Sequence, residues 1–344
     1  MFGASLSTIP EGVDGQAALE EVRTQLAQIA ICEEAIDEAT ASYIRSEHML
    51  VRFLVAHSWN SRDAAEALQE HYSWLVQKRM SDLLADPFPE EKQIKRFYPQ
   101  TFHGTDKLGR PIYIERIGSL DVKRLLEAVG TPRLLDFICA SSQRQVCLRL
   151  PACSVARGEV IDTSLNILDL QGLSFGIVTN RDVRAVLKDI LAIQQKHYPG
   201  LTGQTIIVNA PAVFSIAWAF AKPFLSEQLL SKIAIFGTSQ EAYSKALLDL
   251  VDADQLPALL GGQCICDGKD PQSCMTCVKG PWTDSDVCAT LQTKQLEQVM
   301  TPAGAAEAHD ALVRRLSRGA AAGQELRQQL PNDKAPTEEA KPAE

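Results

Sequence analysis

The chain has 344 residues, of which 45% are hydrophobic and 22% charged, a composition typical of a globular protein with a sizeable core. Its formal net charge of −9 argues against nucleic acid as the main partner, although a local basic patch can still meet anionic lipid. The first residues show neither a signal peptide nor a myristoylation glycine, and nine cysteines then indicate a reducing compartment, so a cytoplasmic protein is expected.

The N-terminal quarter has a helical pattern, in which apolar residues such as Leu50 and Leu54 recur at i, i+4 from about residue 16 to residue 93. Ser61 is expected to cap a helix over 62–79. The DPFPEE stretch that begins at Asp86 should break the pattern. The sequence therefore predicts a helical or flexible segment over 1–40 and a helical lobe over 41–90.

The pattern changes after residue 90, where β-rich runs alternate with helical ones. Asp106–Gly109 is typical of a hairpin turn. Strands are predicted at 110–115, 164–170, 205–208 and 232–236, and helices at 119–128, 132–148, 180–197 and 213–230. Such alternation favours an α/β domain with a mainly parallel sheet, here over 91–263. A Cys-bearing loop (264–288), C-terminal helices (289–330) and a disordered acidic tail (331–344) should follow.

The most informative segment runs from residue 210 to residue 225 and is apolar almost all round. Pro211 suits a first helical turn, and Pro223 should end or kink the helix. A helix without a polar face is either buried in the core or covers something apolar. Two interpretations therefore stay open, a central core helix and a lid over a hydrophobic ligand that touches a bilayer when it opens.

Several longer motifs occur together and in order over 46–262. They are RFL at 52–54, FYPQ at 97–100, HGTDKLGRPIY at 103–113, RLPACS at 149–154, DTSLNILDLQG at 162–172, HYPG at 197–200, and then VNAP, KPFL and LPALLGG. With these motifs the chain resembles the CRAL-TRIO family, specifically the fungal and plant phosphatidylinositol–phosphatidylcholine transfer proteins. The Cys-bearing loop is similar to an extension of the plant members.

The resemblance implies a helical N-terminal lobe and a mixed, mainly parallel sheet that floors an apolar lipid pocket closed by a gate helix. It implies a bound phospholipid or other hydrophobic ligand, no further cofactor, and a monomer peripherally associated with Golgi or endosomal membranes. Gly261 and Gly262 are the expected hinge. The expected gate and membrane-contact residues are Phe214, Trp218, Ala221, Phe224 and Leu225.

The same resemblance assigns candidate lipid-binding residues, and several depart from the family pattern. Among the family's inositol-recognising positions only Lys232 is retained, and the others hold His57, Ser58, Leu229 and Gly200. Fewer charge-assisted donors should weaken capture of an inositol phosphate. The choline cage and pocket floor correspond to Phe102, Tyr113, Ser142, Ser164, Asn166 and Leu168, of which Tyr113 and Ser164 are retained.

Two shorter patterns suggest other chemistry. Gly172–Gly176 matches G-x-S-x-G, so Ser174 with Asp249 and His309 is a candidate esterase triad, against the simpler interpretation of a turn after a strand. Cys264, Cys266, Cys274 and Cys277 have a spacing that can hold zinc, against four reduced thiols in a loop.

Three functions follow in order of preference. The first is non-enzymatic transfer or presentation of a phospholipid between membranes. The second is a lipid sensor whose occupancy controls a partner such as a lipid kinase. The third is a lipid esterase centred on Ser174.

Overall fold

The computed structural model describes residues 9–27, 36–266 and 268–329. The helices before the first strand are α1 (Gly15–Leu26), α2 (Glu38–Arg45), α3 (Glu47–Ala56), α4 (Ser61–Gln77), α5 (Met80–Ala85) and α6 (Glu91–Phe97). Asn60, rather than the expected Ser61, caps α4, because its side chain accepts hydrogen bonds from the backbone N–H groups of Arg62 and Asp63. The interruption at Asp86 lies between α5 and α6, as predicted.

The sheet contains β1 (Gln100–Thr105), β2 (Pro111–Glu115), β3 (Ser164–Asp169), β4 (Thr202–Val208) and β5 (Ile233–Ile235), in that spatial order. β1 and β2 are antiparallel and the remaining pairs are parallel, which confirms the mixed, mainly parallel sheet. The hairpin turn is also confirmed, since the Gly109 N–H donates to the Asp106 carbonyl at 2.8 Å. Gly109 has φ +82°, a value that a residue with a Cβ rarely adopts.

Helices cover the connections between the strands. They are α7 (Val122–Val129), α8 (Thr131–Arg144), α9 (Leu150–Arg157), α10 (Phe175–Thr179), α11 (Arg181–His197), α12 (Phe214–Ala221), α13 (Glu227–Leu230) and α14 (Gln240–Leu250). A π-helical turn, Gln145–Arg149, joins α8 to α9, so the helix predicted over 132–148 continues further than expected. The helix predicted over 213–230 is instead broken into α12, a 3₁₀ turn at Lys222–Phe224 and α13, because Pro223 interrupts it.

One face of the sheet forms an apolar core with α14. Leu165 and Ile167 of β3 are fully buried there together with Tyr243 and Leu247. The alternate residues of β3, Asn166 and Leu168, are only half-buried and lie on the opposite face. This second face is the one that the sequence predicts as the floor of a pocket.

The C-terminal helices are α15 (Ser285–Gln292), α16 (Leu296–Val299) and α17 (Pro302–Gln329). Ala308 and Leu312 of α17 are buried in the same core as Leu19 of α1 and Phe53 of α3. His309 of α17 is held within the folded protein, because its Nδ1 lies 2.9 Å from the Val155 carbonyl oxygen of α9. The predicted acidic tail, 331–344, lies outside the described residues.

Across the described ranges, every helix is too short or too polar to cross a bilayer.

Candidate functional site

Two rows of side chains cross the open face of the sheet. From β1 to β5, both rows change from polar or aromatic side chains to apolar ones. Residues that pair across neighbouring strands share a face, so the strand register defines each row. The first row is Phe102, Tyr113, Asn166, Thr205 and Ile233, and the second is Gln100, Glu115, Leu168, Ile207 and Ile235. The face thus has a polar and aromatic half on β1 and β2 (the polar half), whereas its side chains on β4 and β5 (the apolar half) are apolar except for Thr205.

The polar half is built around Phe102 and Tyr113, whose ring centroids lie 5.0 Å apart. The guanidinium carbon of Arg149 lies 4.1 Å from the centroid of the Phe102 ring, within range of a cation–π interaction. Arg149 Nη1 donates to the Ser141 carbonyl at 2.9 Å, whereas its buried Nε has no hydrogen-bond partner. Burial, together with the nearby Arg144, lowers the pKa of Arg149 to about 10, so the side chain stays cationic at neutral pH.

A carboxyl group lies in the same half. The hydroxyl of Tyr98 donates to Glu115, and that of Tyr113 donates to Gln100 Oε1 at 2.8 Å. Burial raises the pKa of Glu115, although the hydrogen bond from Tyr98 opposes the shift. Burial likewise raises the pKa of Tyr113 well above its usual range, so both phenols stay neutral donors.

The predicted Ser164 and Asn166 are hydrogen-bonded to each other, whereas the predicted Ser142 bonds separately to α11. Ser164 Oγ donates to Asn166 Oδ1 at 2.8 Å and accepts from Gln145 Nε2 at 3.1 Å. Ser142 Oγ accepts from Gln194 Nε2 at 2.7 Å. Gln145 and Arg149 both come from the π-helical turn, and sequence reasoning missed their role, because nothing in the local pattern indicates that this helix widens there. π turns recur at functional sites.

The apolar half is covered by α12, which carries the predicted gate residues. Phe214 and Trp218 of α12 belong to the same apolar cluster as Leu168, Ile207 and Ile233 of the sheet. None of the eight residues of α12 is buried, and Ile216 is 38% exposed. Because no residue of α12 is buried, the helix is not a central core helix. The contact between the helix and the sheet is incomplete, since apolar side chains on both sides keep part of their surface exposed.

Arg184 of the neighbouring α11 contacts the end of the gate segment. Arg184 of α11 donates from Nε to the Val178 carbonyl at 2.9 Å, and its guanidinium carbon lies 5.1 Å from the Phe220 ring centroid. The ring centroids of Phe220 and Phe224 in turn lie 5.6 Å apart. The predicted Ala221, Phe224 and Leu225 are half-buried around this contact.

The residues predicted for inositol recognition are held by separate elements. Lys232 Nζ donates to the Thr202 carbonyl at 3.3 Å, and burial lowers the pKa of Lys232 although Asp162 opposes the shift. His57 is the C-cap of α3, and its ring stacks on that of Phe53 with the centroids 6.5 Å apart. Leu229 is half-buried in α13.

The predicted hinge glycines are closely packed. A Cβ on Gly261 would meet Ser244 Oγ at 2.1 Å, and one on Gly262 would meet the Leu256 carbonyl oxygen at 1.9 Å. These close approaches account for glycine at both positions. Beyond them, Cys264, Cys266 and Cys274 come together, and the donor within 4.8 Å of all three is His103 of β1. The side chain of Cys277 contacts Cys266 but is not within that distance of the whole group.

The candidate esterase residues do not share an element. Ser174 is an exposed N-cap whose hydroxyl accepts a hydrogen bond from the Ile177 N–H at 3.4 Å. Asp249 lies on α14 and His309 on α17. The G-x-S-x-G pattern is therefore a strand-to-helix turn with a capping serine, and nothing in this arrangement is positive evidence of catalysis.

Two depressions elsewhere on the surface have different linings. One, of about 560 Å³, lies between α4 and the end of α11 and is lined by polar residues that include Glu66, Glu70 and Lys196. The other, of about 310 Å³, lies between α15 and α17. Charged walls do not suit acyl chains, so neither depression competes with the face under α12 as a lipid site.

Comparisons with known proteins agree with this architecture. A model of the CRAL/TRIO domain matches residues 95–262. The chain is 34% identical to the Sec14 cytosolic factor of Schizosaccharomyces pombe over 268 residues, which cover 78% of this chain and 87% of that protein. It is also 34% identical to the phosphatidylinositol/phosphatidylcholine transfer protein SFH4 of Arabidopsis thaliana over 241 residues, 70% of this chain but only 39% of that protein.

A solved structure is similar to this chain in its fold. The crystal structure of Sfh5 aligns with a TM-score of 0.54 at 15% identity and covers 83% of this chain and 98% of that chain. The sequence similarity to the fission-yeast factor extends along most of that protein's length. The chain therefore belongs to the CRAL/TRIO family of Sec14-like proteins.

Proposed function

We propose that the chain binds one phospholipid between the open face of the sheet and α12, and transfers or presents it between membranes without covalent chemistry. The observation that carries the proposal is the apolar helix α12, which covers an apolar sheet face although none of its residues is buried. The acyl chains would occupy the half lined by Leu168, Ile207 and Ile233. The relatives named as phosphatidylinositol/phosphatidylcholine transfer proteins support this assignment.

A movable cover follows from the cost of exposing acyl chains to water. Two chains contain roughly 30 methylenes at about 0.8 kcal/mol each, so complete exposure costs roughly 24 kcal/mol. A barrier of that size limits spontaneous desorption to about once a day. A carrier avoids the barrier when its cover opens onto the bilayer and the chains pass directly from one apolar phase to another. We assign this opening to α12.

The head group would lie at the polar half, where Arg149 and Tyr113 come together. Arg149 has a buried Nε without a partner, and a phosphate oxygen would supply the missing acceptor. The Tyr113 ring could face a quaternary ammonium, as a choline head group requires. Lys232, held at Thr202, is the corresponding candidate for an inositol head group.

Membrane docking is assigned to the exposed apolar side chains around the gate. Ile216 of α12 is 38% exposed and Phe175, at the start of the neighbouring α10, is 64% exposed. We propose that the protein works as a monomer that associates peripherally with internal membranes, Golgi or endosomal, through these side chains. The net charge of −9 gives no general attraction to anionic lipid, so insertion of apolar side chains has to supply the contact.

A transfer assay between donor and acceptor vesicles tests the proposal, with fluorescent phosphatidylcholine and labelled phosphatidylinositol as cargo. We expect the purified chain to accelerate transfer and Ile216→Glu to reduce it at least several-fold, because a carboxylate resists entry into the bilayer. Leu108→Glu is the matched control, since Leu108 is 59% exposed on the β1–β2 hairpin turn. Equal transfer rates for the two variants would contradict docking through α12.

Native mass spectrometry of the purified chain separates transfer from sensing. Bound phospholipid together with accelerated transfer supports a carrier. Bound phospholipid with little acceleration supports the alternative, a sensor whose occupancy controls a partner such as a lipid kinase, for which the exposed Phe175 offers an apolar contact. A chain that neither retains lipid nor moves it would overturn both.

A further inference from the structure

Four potential metal ligands, from β1 and from the Cys-bearing loop, lie close together at the edge of the sheet. One ligand atom each of His103, Cys264, Cys266 and Cys274 lies within 4.8 Å of the others. The Sγ atoms of Cys266 and Cys274 are 3.7 Å apart, and those of Cys264 and Cys266 are 4.0 Å apart. Tetrahedral zinc with Zn–S bonds of 2.3 Å places its sulfur ligands roughly 3.8 Å apart. The thiols are free, and their separation fits a shared metal ion instead of a disulfide.

His103 supplies an independent observation that indicates a ligand. Its side chain is completely buried, and neither ring nitrogen forms a hydrogen bond of normal geometry, although the backbone of Cys277 lies beside the ring. Buried polar groups without partners are rare because they lose their hydration without compensation. A metal ion bound to one ring nitrogen would remove this cost, and the Cys277 carbonyl could then accept from the other, as is usual for a metal-bound histidine.

We propose that His103, Cys264, Cys266 and Cys274 bind one Zn²⁺ in a closed tetrahedral site. Three thiolates and one imidazole suit zinc, and four protein ligands leave no open position, which is typical of a structural site. A zinc ion with three thiolates and a neutral imidazole carries one net negative charge. The Lys279 ammonium balances that charge, since its Nζ lies 3.5 Å from Cys264 Sγ.

The position of the site explains what the metal would do. His103 belongs to β1, at the edge of the sheet, whose backbone is already joined to the Cys-bearing loop through a hydrogen bond of 2.8 Å from the Gly104 N–H to the Lys279 carbonyl. Thr101 Oγ1 donates to the Cys277 carbonyl at 3.3 Å. The zinc ion would fasten this loop over the edge strand, where an uncovered strand could pair with other chains. It would therefore stabilise the protein without taking part in lipid exchange.

Metal analysis of the purified full-length chain tests the site. We expect one zinc ion per chain, and a cobalt-substituted protein with the strong visible bands of a tetrahedral ion bound by thiolates. Cys274→Ser and His103→Leu should each lose at least nine tenths of the metal. His103→Leu replaces an unpaired buried ring by an apolar side chain, so the apoprotein should still fold, as a circular dichroism spectrum would show.

Cys277→Ser tests the alternative fourth ligand, because the side chain of Cys277 contacts Cys266 but lies outside the group of four. This variant should keep the metal, and a zinc chelator should lower the melting temperature of the wild-type chain but not that of His103→Leu. A wild-type chain without zinc after expression and refolding in its presence would overturn the proposal. Loss of the metal in Cys277→Ser but not in His103→Leu would equally overturn it, because the fourth ligand would then be a cysteine.

Discussion

Among single residues, Arg149 is the one that the proposed function pairs with the lipid phosphate in the polar half of the face. The residue is half-buried, it contacts the Phe102 ring, and its buried Nε has no hydrogen-bond partner. A buried N–H donor without a partner is costly unless a ligand pairs with it. A phospholipid phosphate is the anion that the proposed function brings to this place.

Arg149→Met should therefore weaken phospholipid binding without loss of the fold. The unbranched apolar side chain of methionine packs over Phe102 but cannot pair with a phosphate. A lost charge-assisted hydrogen bond of about 1.5–3 kcal/mol corresponds to roughly a 10- to 150-fold weaker affinity. Arg149→Lys should retain part of the binding because it keeps the charge. Quantification of co-purified phospholipid checks both, and wild-type retention in Arg149→Met would contradict the assignment.

A pair of histidines should make the protein sensitive to acid. His71 and His197 are buried side by side, with their Nδ1 atoms 3.4 Å apart, and burial lowers the pKa of His71 to about 3 and of His197 to about 4. The unfolded chain binds protons on both near pH 6.5, so it binds more protons than the folded chain between that pH and about 4. Stability is then complete above pH 6.5 and falls as the pH decreases.

Urea unfolding at a series of pH values measures this dependence. We expect the free energy of unfolding to fall by about 1 kcal/mol or more per pH unit between pH 6 and 4.5. The variant His71→Gln should have a shallower slope than the wild type, because one of the two titrating groups is gone. An identical slope would show that other groups cause the acid sensitivity.

Among the secondary-structure elements, the gate segment shows what sequence patterns determine and what they leave open. The apolar stretch and both prolines locate the segment correctly, and the break at Pro223 follows from the geometry of proline. Whether an apolar helix is buried depends on how many neighbours the fold provides, which is a property of the tertiary structure. The sequence therefore left core helix and lid as alternatives, and the exposure of α12 argues against the core helix.

Other elements were missed for similar reasons. β1 has the sequence QTFHGT, which lacks apolar alternation, and it forms a strand because β2 pairs with it on one side and the Cys-bearing loop covers it on the other. The π turn that carries Gln145 and Arg149 has no sequence signature. His103 could not be grouped with the cysteines by spacing, because its place beside them depends on a contact between distant segments.

The contact between Arg184 and the gate segment leads to a prediction about opening. Arg184→Met removes the contact with the Phe220 ring and the hydrogen bond to the Val178 carbonyl, so the closed arrangement should lose about 0.5–1 kcal/mol or somewhat more. We expect exchange of bound lipid with vesicles to become about two- to tenfold faster. Lys188→Met is the matched control, since Lys188 is exposed on the same helix. Slower exchange in Arg184→Met would mean that the arginine helps opening.

At the scale of the whole molecule, α1 and the first half of α17 are packed into one core with the lipid-binding domain. Leu312 of α17 is buried at 6% exposure in the same cluster as Leu19 and Phe53, and α17 packs against α9. α9 begins at Leu150, the residue after Arg149. The C-terminal helix thus supports the element that positions the polar half of the site.

This arrangement predicts different effects for two leucines of α17. Leu312→Ala should lower the free energy of unfolding by about 2–4 kcal/mol, because it leaves a cavity in the shared core. Leu316→Ala should change it by less than about 0.5 kcal/mol, since Leu316 is 49% exposed one helical turn later. Chemical denaturation of the full-length chain measures both values. If α17 were instead an independent appendage, the two variants would be equally stable, and Leu312→Ala would retain as much phospholipid as the wild type.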